Sequence, residues 1–182
     1  MTVESYAQPL AIPRLRTRRL LLREYLADDL EPFAAMHADL EVMRHIGEGV
    51  VLDRTGTWRS LAVGIGHWQL RGYGMWVVCD QGTGEVLGRC GLVNPFGWPG
   101  LEVGWMLGRS HWGQGYATEA ARAALEYGWT VLAARRLISL IRPANLRSAA
   151  LATRLGATRE SVTEVAGAPA DVWLHAAPSL TA

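Results

Sequence analysis

The spacing of apolar and polar residues cuts the chain into short segments of alternating type. Arg19 to Tyr25 carries a run of leucines and reads as a strand, closed by the polar pair Asp28 and Asp29, of which Asp28 is the expected helix N-cap. Leu30, Phe33, Ala34, Met36 or His37 and Leu40 recur at helical intervals and predict a helix from Leu30 to about His45. Trp58, Leu61, Ala62, Ile65 and Trp68 repeat that spacing across Arg54 to Arg71 and predict a second. Tyr73 to Asp80 and Glu85 to Val93 are strand-like runs around QGTG, a tight hairpin turn. The loop NPFGWPG, residues 94–100, then leads into a strand from Leu101 to Gly108.

From Gly115 the period lengthens again, and Ala117, Ala120, Ala121, Ala124, Leu125, Gly128, Val131 and Leu132 form one face of small apolar residues suited to lying close against a sheet. Arg136 to Arg142 is a β run, and Asn145 to Leu155 a helix stopped at Gly156. Thr158 to Val165 and Asp171 to Ala176 are the expected closing strands. No repeat or linker rich in Pro, Gly or Ser divides the chain. Residues 1–16 are expected as a flexible leader and 17–178 as a single α/β (α+β) layered domain.

Composition removes several chemistries. The 182 residues include 49% hydrophobic side chains, enough for a sizeable core, and the charges sum to only +1. A nucleic-acid partner calls for a strongly basic face and is not expected. All 18 basic residues are arginine, which excludes lysine Schiff-base chemistry and the phosphate-loop lysine. Cys79 and Cys90 are too far apart for a CxxC pair and the five histidines form no HExxH, so no metal is expected. Across the hairpin Cys79 should face Val86 and Cys90 should face Met75, out of disulfide reach, leaving two reduced thiols. No apolar run approaches the roughly 18 residues of a membrane helix, and a cytoplasmic protein with no membrane partner is the expectation. Of the eight tryptophans, Trp58, Trp68, Trp76, Trp105 and Trp129 fall at core-like spacings.

The strongest local signal for chemistry is HWGQGYATEA, in which Gly113 and Gly115 precede the small-faced helix. It is an ordinary glycine turn or an anion site, because the first amides of a helix lack internal partners and sit at the positive end of its dipole. Glu102 is a lone acid on LEVGWML, sharing one face with Gly104 and Met106. It is either a solvent-facing or salt-bridged strand start or a general base. Asn145 reads first as a helix cap, and Ser148 follows it in the first turn.

Taken in order, the strand before the loop, the WGQGYATEA helix, the next strand and the Asn145 and Ser148 helix ending in Leu155 and Gly156 resemble the GNAT superfamily of acyl-CoA-dependent N-acetyltransferases. TRRLLLRE with Asp28 and Asp29 resembles the branch that includes ribosomal-protein N-terminal acetyltransferases, and the likeness runs from about Thr17 to Val172. The resemblance implies a mixed, mostly antiparallel twisted sheet flanked by helices, with central strands splayed apart. It implies acetyl-CoA as donor, its pyrophosphate on Trp112, Gly113, Gln114, Gly115, Tyr116, Ala117 and Thr118, and its pantetheine on the backbone of Trp105, Met106 and Leu107. Trp112 departs from the Arg or Gln usual at its position. Glu102 is then the general base, Asn145 touches the coenzyme or a bound water, and Ser148 or water is the acid, since Ala152 stands where many members carry Tyr. Trp98 is a candidate for the acceptor site. The expected partner is an amine acceptor, a protein N-terminus or a small molecule, with a homodimer as an option. The alternative is a coenzyme A-binding module without turnover.

Overall fold

The computed structural model describes residues 11–177. Its strands are β1 (Leu15–Arg16), β2 (Leu20–Arg23), β3 (Met75–Asp80), β4 (Val86–Val93), β5 (Glu102–Leu107), β6 (Leu137–Ile141), β7 (Thr158–Val165) and β8 (Ala168–His175). The helices are α1 (Leu30–His37), α2 (Leu40–Met43), α3 (Arg54–Arg71), α4 (Tyr116–Thr130) and α5 (Leu146–Arg154). The strands form one sheet in the order β1-β2-β3-β4-β5-β6-β8-β7, antiparallel throughout except for β5 beside β6. This is the expected mixed sheet.

Alternation along the strands gives each face its own core. Leu20, Leu22, Trp76, Val78, Leu92, Val103 and Leu107 pack under α4 with Ala120, Ala121 and Ala124. Tyr25, Val77, Cys79 and Met106 pack on the other face with Phe33, Met36, Val42, Met43 and Leu61 from α1, α2 and α3. The small-residue stripe lets α4 approach closely: a Cβ on Gly128 would stand 2.8 Å from Leu137 Cδ1.

Five expectations are corrected. Asp28 is exposed and caps nothing. Asp29, 1% exposed, accepts from the Leu26 amide at 2.7 Å and pairs with Arg23 at 2.6 Å, because a 3-10 turn at Ala27–Asp29 precedes α1. The helix predicted to His45 breaks after His37, where Asp39 turns extended and caps α2 by accepting from the Glu41 amide. A bulge between Val78 and Cys79 shifts the hairpin register, so Cys79 faces Val86 as expected but Cys90 faces Trp76. Both thiols are buried and unpaired with each other. Trp58 is 61% exposed, on the outer side of α3, whereas Trp68 and Trp76 are core. Residues 1–10 of the expected leader lie outside the described residues, but 11–16 are docked. Leu15–Arg16 pairs with β2, and Pro13 O accepts from Trp76 Nε1 at 2.7 Å.

Candidate active site

The parallel ladder between β5 and β6 consists of a single pair, Glu102 with Ile138, after which the strands part. A cavity of about 1600 Å³ lies at the opening, lined by the carboxyl end of β5, the loop before α4 and the first turns of α4 and α5. Hydrogen bonding fixes which backbone groups face this slot. Leu101 O accepts from Ile138 N and Val103 O from Ser139 Oγ, so by alternation Val103, Trp105 and Leu107 turn their backbones towards β6. Met106 pairs with Arg89 and turns its backbone towards β4. Of the three residues expected to offer backbone bonds, Trp105 and Leu107 therefore turn their backbones towards the slot and Met106 does not, although all three line the cavity.

The loop enters α4 through two left-handed glycines, Gly113 at φ 76° and Gly115 at φ 81°. Gly115 is the N-cap and brings no side-chain acceptor, so the first amides of α4 are left for a ligand. Trp112, Gly113, Gly115, Tyr116, Ala117 and Thr118 line the cavity. Gln114 is the exception: its side chain bonds back to Ser110 O, and its carbonyl accepts from Arg19 Nη1 at 3.0 Å.

Seven arginines line the same cavity against three glutamates. The Arg19 guanidinium lies 4.4 Å from the Tyr116 ring centre and pairs with Glu119, and Arg147 stacks 4.5 Å from the ring of Trp112. Arg154 bonds Thr118 Oγ1 at 3.3 Å. These guanidinium groups bring charge to the loop where Trp112 has none, and the sequence reading missed them. The signal was available, because Arg147, Leu151 and Arg154 share one face of α5 at helical spacing. Trp112 instead donates to Leu107 O at 2.9 Å, fixing the end of β5.

Asn145 caps α5 by accepting from the Ser148 amide, and both residues line the cavity. Ser148 Oγ accepts from Trp105 Nε1 at 3.2 Å. Glu102 sits at the closed end of the slot, on the sheet face of Met106 and outside the cavity lining. Burial pushes its carboxyl group up to about 7, against the opposing hydrogen bond from Trp98 Nε1 at 2.5 Å and the influence of the nearby Leu140 amide. Trp98 thus holds Glu102 and does not line the cavity. Among the described residues no cluster of three or more His, Cys, Asp or Glu side chains could hold a metal, and no helix is long and apolar enough to cross a membrane.

Residues 19–158 match the family model of the acetyltransferase (GNAT) domain. Bacillus subtilis YkkB, an uncharacterized protein, is 42% identical over 90 residues, a match that spans about half of each protein, 47% of this chain and 52% of YkkB. The uncharacterized N-acetyltransferase p20 of Bacillus licheniformis is 30% identical over 150 residues, covering 81% of this chain and 84% of p20. The crystal structure of an acetyltransferase from Agrobacterium tumefaciens superposes with a TM-score of 0.82 at 29% identity, covering 96% of this chain and all of that one. With the uncapped helix and the single-rung slot, these likenesses leave one conclusion: the chain belongs to the GNAT family and is an N-acetyltransferase.

Proposed function

We propose that the chain transfers the acetyl group of acetyl-CoA to a primary amine by direct attack, the acceptor being a protein N-terminus or a small-molecule amine. One observation carries the reading: β5 and β6 part after one rung beside an uncapped helix start, with a carboxyl group titrating near 7 at the closed end.

The cavity suits this donor. The amides at the start of α4 offer N–H groups to a pyrophosphate, with the positive helix end behind them. Arg19, Arg147 and Arg154 add charge at the same loop. Trp105 and Leu107 offer their backbones to the amides of a pantetheine arm. Acetyl-CoA, when bound, supplies an activated thioester.

The remaining roles belong to side chains and amides of this chain. Glu102, with its carboxyl group near 7, takes the proton of the attacking amine. The Trp105 N–H, facing the slot, donates to the oxyanion that develops on the carbonyl. Ser148 receives a hydrogen bond from Trp105 Nε1 on its oxygen, which leaves its own proton free for the departing thiolate. No cysteine serves as nucleophile: burial pushes the Cys90 thiol up to about 12 and raises that of Cys79 as well.

The test is release of coenzyme A thiol from acetyl-CoA with a panel of primary amines that includes peptides with free N-termini, polyamines and amino acids. Amine-dependent release identifies the acceptor class, and release no faster than the amine-free blank with every acceptor overturns the reading.

A further inference from the structure

The slot raises an accounting question, since buried backbone groups must be paired. In a parallel ladder that continued past Glu102 and Ile138, the next rung would run from the Leu140 N–H to Val103 O. The acceptor is engaged elsewhere. Val103 O accepts from Ser139 Oγ at 2.7 Å, in the buried interior, and the Leu140 N–H lies by the Glu102 carboxylate, whose pKa it helps to lower. One side chain thus occupies the acceptor of the missing backbone bond, and the rung does not form.

The hydroxyl of Ser139 is fixed in turn. It has one proton, given to Val103 O, so its contact with His175 Nε2 at 2.9 Å must be a bond it accepts. His175 therefore carries its proton on Nε2 and leaves Nδ1 bare; Nδ1 is buried and has no partner. A second proton there would add an unpaired donor and a buried charge, and burial lowers the imidazole to about 4, so the ring stays neutral at ordinary pH. Ser139 and His175 are each 2% exposed and belong to adjacent strands β6 and β8. Neither lines the cavity, and neither has a role in the mechanism above.

We propose that Ser139 is a positioning residue for acetyl transfer: its hydroxyl, oriented by His175, occupies the backbone acceptor on which β6 would otherwise close, and so sets the depth of the slot that receives the acetyl group. The inference rests on the reading of the slot as the thioester site. It makes the closed end of the slot a property of one hydroxyl. Removing that hydroxyl frees Val103 O to take the Leu140 N–H, which adds a rung at the point where the acetyl group must sit next to Glu102. Contacts to the pyrophosphate and to most of the pantetheine lie towards the open end and are left alone.

The experiment compares the parent with Ser139→Ala and Ser139→Thr by three readouts. Amide hydrogen exchange of Leu140, followed by NMR without ligand, should slow about tenfold in Ser139→Ala, the scale of one added backbone bond, and return towards the parent rate in Ser139→Thr. Calorimetry should show acetyl-CoA binding about tenfold weaker in Ser139→Ala, with free coenzyme A within about twofold of the parent. The Michaelis constant for acetyl-CoA should rise with that weakening, and Ser139→Thr should recover both. A Ser139→Ala variant that melts lower but keeps the parent Leu140 exchange and acetyl-CoA affinity makes Ser139 a core hydrogen bond only and overturns the proposal. Equal losses for acetyl-CoA and free coenzyme A also overturn it, since the effect would then not lie at the acyl end. A parent that binds no acetyl-CoA overturns the donor reading and this inference with it, an outcome distinct from the other two.

Discussion

Replacing Glu102 with Gln separates the base from its scaffold. The carboxyl group titrates near 7, so at pH 7 about half of the parent molecules hold it ionised, and kcat/KM should fall about tenfold per unit below that point. The amide cannot take a proton, and loss of general-base help is worth ~100- to 10,000-fold in rate, about 2.7 to 5.5 kcal/mol of barrier. The same change has a structural cost. One side-chain oxygen remains to accept from Trp98 Nε1, where the carboxylate has two, and a lost hydrogen bond is worth about 1 kcal/mol. That cost is read separately as a drop in melting temperature, and it is too small to account for a hundredfold loss of rate. The assay is thiol release from pH 5.5 to 9.5 with the identified acceptor. The variant should lose the limb near 7, keep acetyl-CoA binding, and recover in part at high pH, where more of the amine is neutral unaided. Trp98→Phe, which keeps the carboxyl group but removes a bond that lowers its pKa, should move the limb to higher pH. A Glu102→Gln variant that turns over at the parent rate near pH 7 refutes the assignment.

Gly115→Val should abolish measurable acetyl-CoA binding by calorimetry while the fold survives. A branched side chain at φ 81° is strained, and its Cβ stands 3.4 Å from Arg19 Nη2 at the start of α4. Ser148→Ala should lower kcat about tenfold or more without the high-pH recovery of Glu102→Gln, because it removes an acid and not a base; an unchanged kcat leaves that step to water. His37 and His175 are held neutral by burial, each lowered from 6.5 to about 4. Between those values the unfolded chain binds more protons than the folded one, so stability is full above about pH 6.5 and declines as pH falls towards 4. The decline is about 1.4 kcal/mol per pH unit for each fully engaged histidine. Denaturant midpoints from pH 7 to 4.5 check this, and His175→Gln should flatten the curve.

Local signals carried far in this sequence. The predicted bounds of α3 coincide with the observed Arg54–Arg71 because Asp53 caps its first turn and Gly72 ends it, both marked by residue type. The hairpin around QGTG and the glycine-led start of α4 were equally legible. Where local preferences competed, the reading failed. Asp39 broke an otherwise continuous apolar stripe, and a single bulge at Val78 changed the partner of Cys90. The site was legible as far as its residues touch in sequence. The arginines around the loop come from the turn before β2 and from α5, and only the folded sheet brings Arg19 to Gln114 or Ser139 to Val103. Trp98 lies four residues before Glu102, but its bond depends on how the Pro and Gly loop turns back, which no period in the sequence encodes.

The absence of lysine from the cavity lining, where arginine supplies the permanent positive charge, has a consequence for self-modification. A lysine amine beside a bound thioester is itself an acceptor, and a cavity that binds a polyanion by lysines would expose the protein to acylation by its own donor. Guanidinium groups remain protonated at any working pH and are poor nucleophiles. With no lysine in the sequence, neither the seven cations around the cavity nor any other side chain offers the donor a competing amine. The charge that attracts the donor is therefore chemically silent towards it, and incubation with acetyl-CoA alone should leave every side chain in the intact chain without an added acetamide.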